Sequence, residues 1–277
     1  MSNSVPEAKP EAVLDAAPIS FAYRCWLFLR SLVFWVWQIV WTLTMGVPVV
    51  VLGMFSYNLG YRMGVIWNQG NVYGLRVICG VRWKLEGEEN IPAKAGIMMS
   101  KHQSTWETYF FMLVFPRAAY VAKRSLALIP IFGWALIVLR FILIDRKSGG
   151  SAIAQMVEQA RERNEHGIWV LIFPEGTRRP VGSEPAYRIG GAVVAERTGA
   201  DITPVALNAG EFWPRMGFIK WPGEITVSIG PPIVNGGRKA EVLLAEAEAW
   251  IEGRMAEITV KNRFPYKAGG PSTGNAG

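Results

Sequence analysis

The sequence predicts an α/β fold, a mixed sheet of about seven strands flanked by helices and preceded by an apolar helical hairpin. Three observations predict it. No charged residue occurs from Ser31 to Tyr61, a run of 31 residues. Beyond Arg76, seven short apolar or alternating runs have strand length. Between and after them lie segments with apolar residues at helical spacing. At 277 residues the chain holds one sizeable domain and an appendage rather than two full domains.

Residues 1–20 mix Ala, Pro and alternating charges without periodicity, which predicts a disordered tail. The uncharged run follows too late, and is too long, for a secretory signal. Arg24 and Arg30 precede it and Arg62 follows. Its length exceeds the roughly 20 residues of one transmembrane helix. Gly46-Val47-Pro48 sits near its middle, where a proline removes a backbone donor and crowds the preceding turn. The expectation is a helix–break–helix hairpin dipping into one leaflet, with both basic ends on the same side. A kinked spanning helix and a buried core hairpin are the alternatives.

The first strand is expected where Val81, Trp83 and Leu85 alternate with Arg82 and Lys84. The others fall at Gly96–Met99, Ala119–Val121, Phe141–Ile144, Ile168–Phe173, Ile202–Leu207 and Ile225–Ile229. Several are apolar on both faces, as a sheet covered by helices requires. Ile153, Met156, Val157 and Ala160 mark a helix that Gly167 stops, and Leu243, Ala247, Trp250, Ile251, Met255 and Ile258 mark another. The last residues, 268–277, read as a frayed tail.

Composition narrows the chemistry. The chain is 51% hydrophobic, with twelve Trp, seven of them at or before position 106. Trp favours membrane interfaces, where its ring stays apolar and its N–H stays wet. A net charge of +7 suits an anionic membrane surface or phosphorylated substrates. No motif for nucleic acid accompanies it. Cys25 and Cys79, each in an apolar setting, give no disulfide framework and are expected to be buried thiols. With only His102 and His166 as imidazoles, no metal site is expected.

Two segments carry the chemistry. His102 follows an apolar strand and precedes the apolar run 109–115, so it sits at a strand-to-helix turn, with Glu107 five residues on. On one regular helix that offset is roughly 140°, so the pair meets only if His102 lies just outside the helix. Glu107 could then accept from Nδ1 and leave Nε2 free to take a proton. Ser104-Thr105-Trp106-Glu107 equally matches a capping box, which alone would explain the carboxylate. The second segment, Phe173-Pro174-Glu175-Gly176-Thr177-Arg178, ends another strand. Its Gly permits close backbone approach, its Arg suits a phosphate, and Glu175 and Thr177 can bond hydroxyls. Lys101 and Gln103 beside His102 are expected to be solvated. His166 is read as a cap at a helix C-terminus.

Together these segments resemble the bacterial 1-acylglycerol-3-phosphate acyltransferases of the glycerolipid acyltransferase superfamily. The resemblance extends to Lys123-Arg124-Ser125-Leu126 with Pro130, Gly133 and Ile144-Asp145-Arg146, and to Ile202-Thr203-Pro204-Val205-Ala206. It spans about Val81 to Ile233, with the blocks in the family's order. The family usually has Asp where this chain has Glu107, a side chain one methylene longer.

The resemblance implies a membrane-bound enzyme at the cytoplasmic face of a bacterial inner membrane, making phosphatidic acid from lysophosphatidic acid. It implies no cofactor; acyl-CoA or acyl-ACP is the co-substrate, and acyl carrier protein a possible partner. His102 would be the base, oriented by Glu107. Lys123 and Arg178 would hold the acceptor phosphate, with Glu175, Gly176 and Thr177 shaping the glycerol pocket. Another acceptor, a hydrolase, or a non-catalytic membrane-surface protein of the same fold are the alternatives. The expected division is a tail at 1–20, a membrane-associated segment at 21–75, a catalytic domain at 76–265 and a flexible tail at 266–277.

Overall fold

The computed structural model describes residues 19–145 and 149–260. The terminal tails expected at 1–20 and 266–277 lie almost wholly outside these residues. Two long helices open the fold, α1 (Phe21–Phe55) and α2 (Tyr57–Cys79). Strands β1 (Val81–Glu86), β2 (Ile97–Ser100), β3 (Ala118–Lys123), β4 (Ile142–Ile144), β5 (Trp169–Ile172), β6 (Ile202–Leu207) and β7 (Gly223–Ile229) follow, one at each expected place. Helices α3 (Trp106–Val114), α4 (Phe132–Val138), α5 (Gly150–Glu165), α6 (Gly190–Thr198) and α7 (Ala240–Ile258) alternate with them.

The strands form one mixed sheet in the order β1-β7-β6-β2-β5-β3-β4, parallel throughout except between β6 and β7. Both faces are covered, and the period-two alternation of each strand divides its side chains between two apolar layers. Met98, Leu171 and Val205 join Phe111, Phe115 and Trp106 on the side of α2 and α3. Ile97, Met99, Val170 and Ile172 meet Met156, Ala192 and Ile251 on the side of α5, α6 and α7. Gly167 stops α5 at φ +68°, as its position predicts.

The hairpin is present, but its turn lies elsewhere than expected. α1 runs unbroken through Gly46 and Pro48 for 35 residues, and the chain reverses at Ser56. A proline inside a helix forfeits one backbone bond, and here tertiary packing on both sides of Pro48 outweighs that loss. Gly46 lies against the segment before α4, where a Cβ would sit 2.6 Å from Ile131 Cγ2. Beyond Pro48, Gly60 of α2 abuts Gly53 of α1, where a Cβ would sit 2.5 Å from Gly53 Cα. Indole N–H groups stitch the helices together, Trp37 to the Gly70 carbonyl at 3.1 Å and Trp41 to that of Trp67 at 2.9 Å.

One face of α1 packs inward through Leu27, Ser31, Phe34 and Gln38. The opposite face exposes Trp26, Leu29, Val36, Val40, Leu43 and Val51. Cys79 is buried as expected, whereas Cys25 is exposed on α1. The expectation for Cys25 fails because burial there needs a cover that the described residues do not supply. Lys220 lies inside an aromatic cage, its ammonium 4.0 Å from the Trp35 ring centre and 4.6 Å from that of Trp213. Its backbone N–H donates to Ser31 Oγ at 2.9 Å, which fastens the segment before β7 to α1.

Candidate active site

β2 and β5 are parallel neighbours, with Met99 opposite Ile172. Three residues beyond each lie His102 and Glu175, so the register alone brings the two sequence segments together at the carboxyl edge of the sheet. That edge is where open α/β sheets place their ligands.

His102 Nδ1 lies 2.9 Å from Glu107 Oε1. The same oxygen accepts the backbone N–H groups of Gln103 at 2.8 Å and Ser104 at 2.6 Å, and Ser104 Oγ accepts from Trp106 N at 3.2 Å. One fully buried carboxylate thus faces His102 and also reaches back to the backbone of the turn, which is half of a capping box; the N-cap of α3 is Thr105, and Ser104 Oγ takes the Trp106 N–H rather than that of Glu107. The longer Glu side chain spans the gap without difficulty. A carboxylate only accepts, so the Nδ1 facing it carries the proton and Nε2 keeps its lone pair. The imidazole stacks on Phe173, with ring centres 3.8 Å apart and planes 14° from parallel, which fixes its tilt.

Glu175 is turned away from the cavity. Its Oε2 accepts the His102 backbone N–H at 3.1 Å, and its Oε1 pairs with Lys101 Nζ at 2.9 Å. Lys101 is correspondingly buried rather than solvated, bridging onward to Glu252 of α7 at 2.8 Å. Glu252 also accepts from the Tyr187 hydroxyl at 2.8 Å, and burial together with Glu252 holds that phenol protonated. Thr177 is exposed and Arg178 half-buried, its guanidinium donating to Thr105 Oγ1. His166 caps α5 as expected, with its Nδ1 2.7 Å from the Glu162 carbonyl.

A cavity of about 640 Å³ opens beside His102. Of the segment from 173 to 178, Phe173, Pro174 and Gly176 line it, while Glu175, Thr177 and Arg178 stand behind or beside it. Gly176 has φ +69°, a conformation that favours glycine, and any Cβ there would lie 3.3 Å from the Arg188 guanidinium. Lys123, at the end of β3, and Arg188 line the cavity as its cations. Away from His102 its walls are apolar, built from Met112, Leu126, Phe132, Leu136, Leu139 and Met156 among others. Arg146 and Lys147 lie outside the described residues.

Sequence reasoning missed three contributors. Lys101 adjoins His102 in sequence, but its burial depends on where α7 packs. Phe173 opens the second segment, but its stacking on His102 leaves no mark in the sequence. Arg188 precedes α6 with no motif around it, and nothing local marks it.

Comparison with known proteins places the chain in a family. A family model described as Acyltransferase matches residues 82–208. A 1-acyl-sn-glycerol-3-phosphate acyltransferase of Pseudomonas aeruginosa is 44% identical over 210 residues, covering 74% of this chain and 82% of its own. A chloroplastic counterpart from Brassica napus is 26% identical over 256 residues, 90% of this chain and 72% of its own. The crystal structure of the 1-acyl-sn-glycerophosphate (LPA) acyltransferase PlsC from Thermotoga maritima superposes with a TM-score of 0.71. It shares 21% identity and covers 84% of this chain and 96% of that one, so the fold is common to both. With the paired His102 and Glu107 lying inside the matched region, the chain belongs to the acyltransferase family that contains the 1-acyl-sn-glycerol-3-phosphate acyltransferases.

Proposed function

We propose that this enzyme transfers an acyl group from an acyl thioester to the 2-hydroxyl of 1-acylglycerol-3-phosphate, forming phosphatidic acid. The observation that carries the reading is the His102–Glu107 pair at 2.9 Å, aimed at the polar end of an otherwise apolar cavity. His102 Nε2 takes the hydroxyl proton as the oxygen attacks the thioester carbonyl. The tetrahedral intermediate then collapses, the C–S bond breaks, and the imidazolium returns its proton to the departing thiolate. Glu107 keeps the tautomer and stabilises the imidazolium. No acyl-enzyme forms.

Lys123 lines the cavity and Arg178 sits behind Thr105, a lining residue, so both are within reach of an acceptor phosphate; Arg188 adds a third cation. Gly176 lets the backbone close on the glycerol, with Thr177 at the outer rim. Glu175 serves the site through the His102 backbone. The volume and apolar lining of the cavity suit a hydrocarbon chain. The exposed face of α1 supports attachment to an anionic membrane, with the hairpin lying along the catalytic domain and that domain on the cytoplasmic side. The division into a membrane-associated segment at 21–75 and a catalytic domain at 76–265 is kept, its boundary falling in the last turn of α2.

The test is acyl transfer by membranes carrying wild-type or His102→Ala protein, given lysophosphatidic acid and a labelled acyl thioester, either acyl-CoA or acyl-ACP. Phosphatidic acid from the wild type and at least a roughly 10³-fold loss in the variant are expected. A folded, membrane-bound variant that retains a tenth of the activity would exclude His102 as base. Product with glycerol-3-phosphate but not with lysophosphatidic acid would reassign the acceptor.

A further inference from the structure

A second uncharged run, from Ser125 to Leu139, is bounded by Arg124 and Arg140. It holds a 3-10 turn (Arg124–Leu128), a short connection and α4. At 15 residues it is too short to cross a bilayer, but of a length suited to a core or interfacial segment. The structure separates these options. Leu126, Phe132, Leu136 and Leu139 face the cavity. Leu128, Trp134 and Ile137 point the other way and are 82%, 50% and 55% exposed. A wall between a cavity and water would carry polar groups on its outer side, and α4 carries none.

The segment is seated on α1. Ile131 meets Gly46 and Val138 meets Gly53, at contacts where a Cβ on either glycine would overlap the partner side chain. The outward side of α4 thereby continues the exposed apolar face of α1. Lys123 and Arg124, both exposed, stand at its entrance, where anionic headgroups would meet them.

We propose that 125–138 is a second membrane-inserted element, its outer side bedded in the acyl-chain layer of the leaflet that receives α1. α4 would then be the partition between the lipid and the substrate cavity. The proposal rests on the membrane-bound acyltransferase reading above and extends it to a surface outside the hairpin.

Two measurements on the full chain test it. In phosphatidylglycerol/phosphatidylethanolamine vesicles, an environment-sensitive NBD label is placed on a single cysteine replacing Leu128, Trp134 or, as control, Lys94, in a Cys25→Ser/Cys79→Ala background. Lys94 is exposed just before β2, at the opposite edge of the sheet. Tail-labelled quencher lipids are expected to quench at 128 and 134 and to spare 94. Equal quenching at all three positions, or none at 128 and 134, would overturn the proposal. In the second, Leu128→Asp/Ile137→Asp is expected to lose at least about tenfold in kcat/KM on vesicle-borne lysophosphatidic acid, because carboxylates resist the acyl layer. It is expected to stay within about twofold of wild type on water-soluble short-chain acceptor and donor. Equal loss on both substrates would place the segment in the fold rather than in the membrane. Should the wild type acylate no lysophosphatidic acid at all, the functional reading fails, and the quenching alone decides the insertion.

Discussion

Glu107→Gln separates two duties that one oxygen performs in this structure. Oε1 receives three N–H groups, two from the backbone at 2.8 and 2.6 Å and one from His102 at 2.9 Å. An amide oxygen of the same shape has lone pairs for the two backbone donors, so the start of α3 keeps its cap. What disappears is the negative charge that, in the proposed mechanism, fixes the Nδ1 tautomer and stabilises the imidazolium. The same exchange in a Ser-His-Asp triad costs about 10⁴ in kcat. Here a loss of about 10³–10⁴ is expected, or roughly 4–5.5 kcal/mol of barrier. Stability should fall by only about 1–3 kcal/mol, the usual cost of weakening a buried hydrogen bond. KM for the acceptor should hold within about threefold, since Glu107 is fully buried and touches no substrate. Steady-state kinetics in detergent, with a thermal melt of the same preparation, reads all three. Retention of more than about a tenth of kcat would mean that Glu107 is a helix cap and nothing more.

Burial draws the Lys220 ammonium pKa down to about 7. Between that value and the ordinary lysine range near roughly 10.4, the folded chain holds fewer protons than the unfolded one, so stability rises with pH through this window. Lys220→Met should lack that rise in melts taken at pH 7, 8 and 9, and parallel profiles for the two proteins would contradict it. Gly60→Ala forces a Cβ against the Gly53 backbone and should destabilise by about 1–3 kcal/mol. Gly253→Ala, in α7 with open space around the site, should be neutral or stabilising by up to about 1 kcal/mol. Equal melting shifts for the two alanines would undo the close-crossing account of the hairpin.

What was legible in the sequence followed from local pattern. All seven strands lie where alternation or short apolar runs put them, because a sheet covered on both faces leaves that signature in each strand separately. His102 and Glu107 were legible as a pair because five residues of one turn hold both. The hairpin turn was not. Pro48 is the strongest local breaker in the run, yet contacts with Ile131 and Gly60, supplied by other segments, carry the helix past it to Ser56. Glu175 and Lys101 were misjudged for the same kind of reason. Their roles are set by the pairing of β2 with β5 and by the arrival of Glu252 on α7, 151 positions after Lys101. A side chain's neighbour in the fold, not its neighbour in the chain, decides whether a charge is solvated.

The bond from Lys220 N–H to Ser31 Oγ joins positions 189 residues apart. Synthesis proceeds at about 5–20 residues per second, so roughly 10–40 s pass between the two leaving the ribosome. Throughout that interval α1 lacks Lys220 to lie against, and β1 lacks β7, its one partner strand among the described residues. An apolar helix of 35 residues left in water for that time is an invitation to aggregate. On the membrane-attached reading proposed above, the bilayer is the partner that can cover α1 before the sheet is complete. Delivery to the membrane would be a step in folding as well as a condition for meeting lipid.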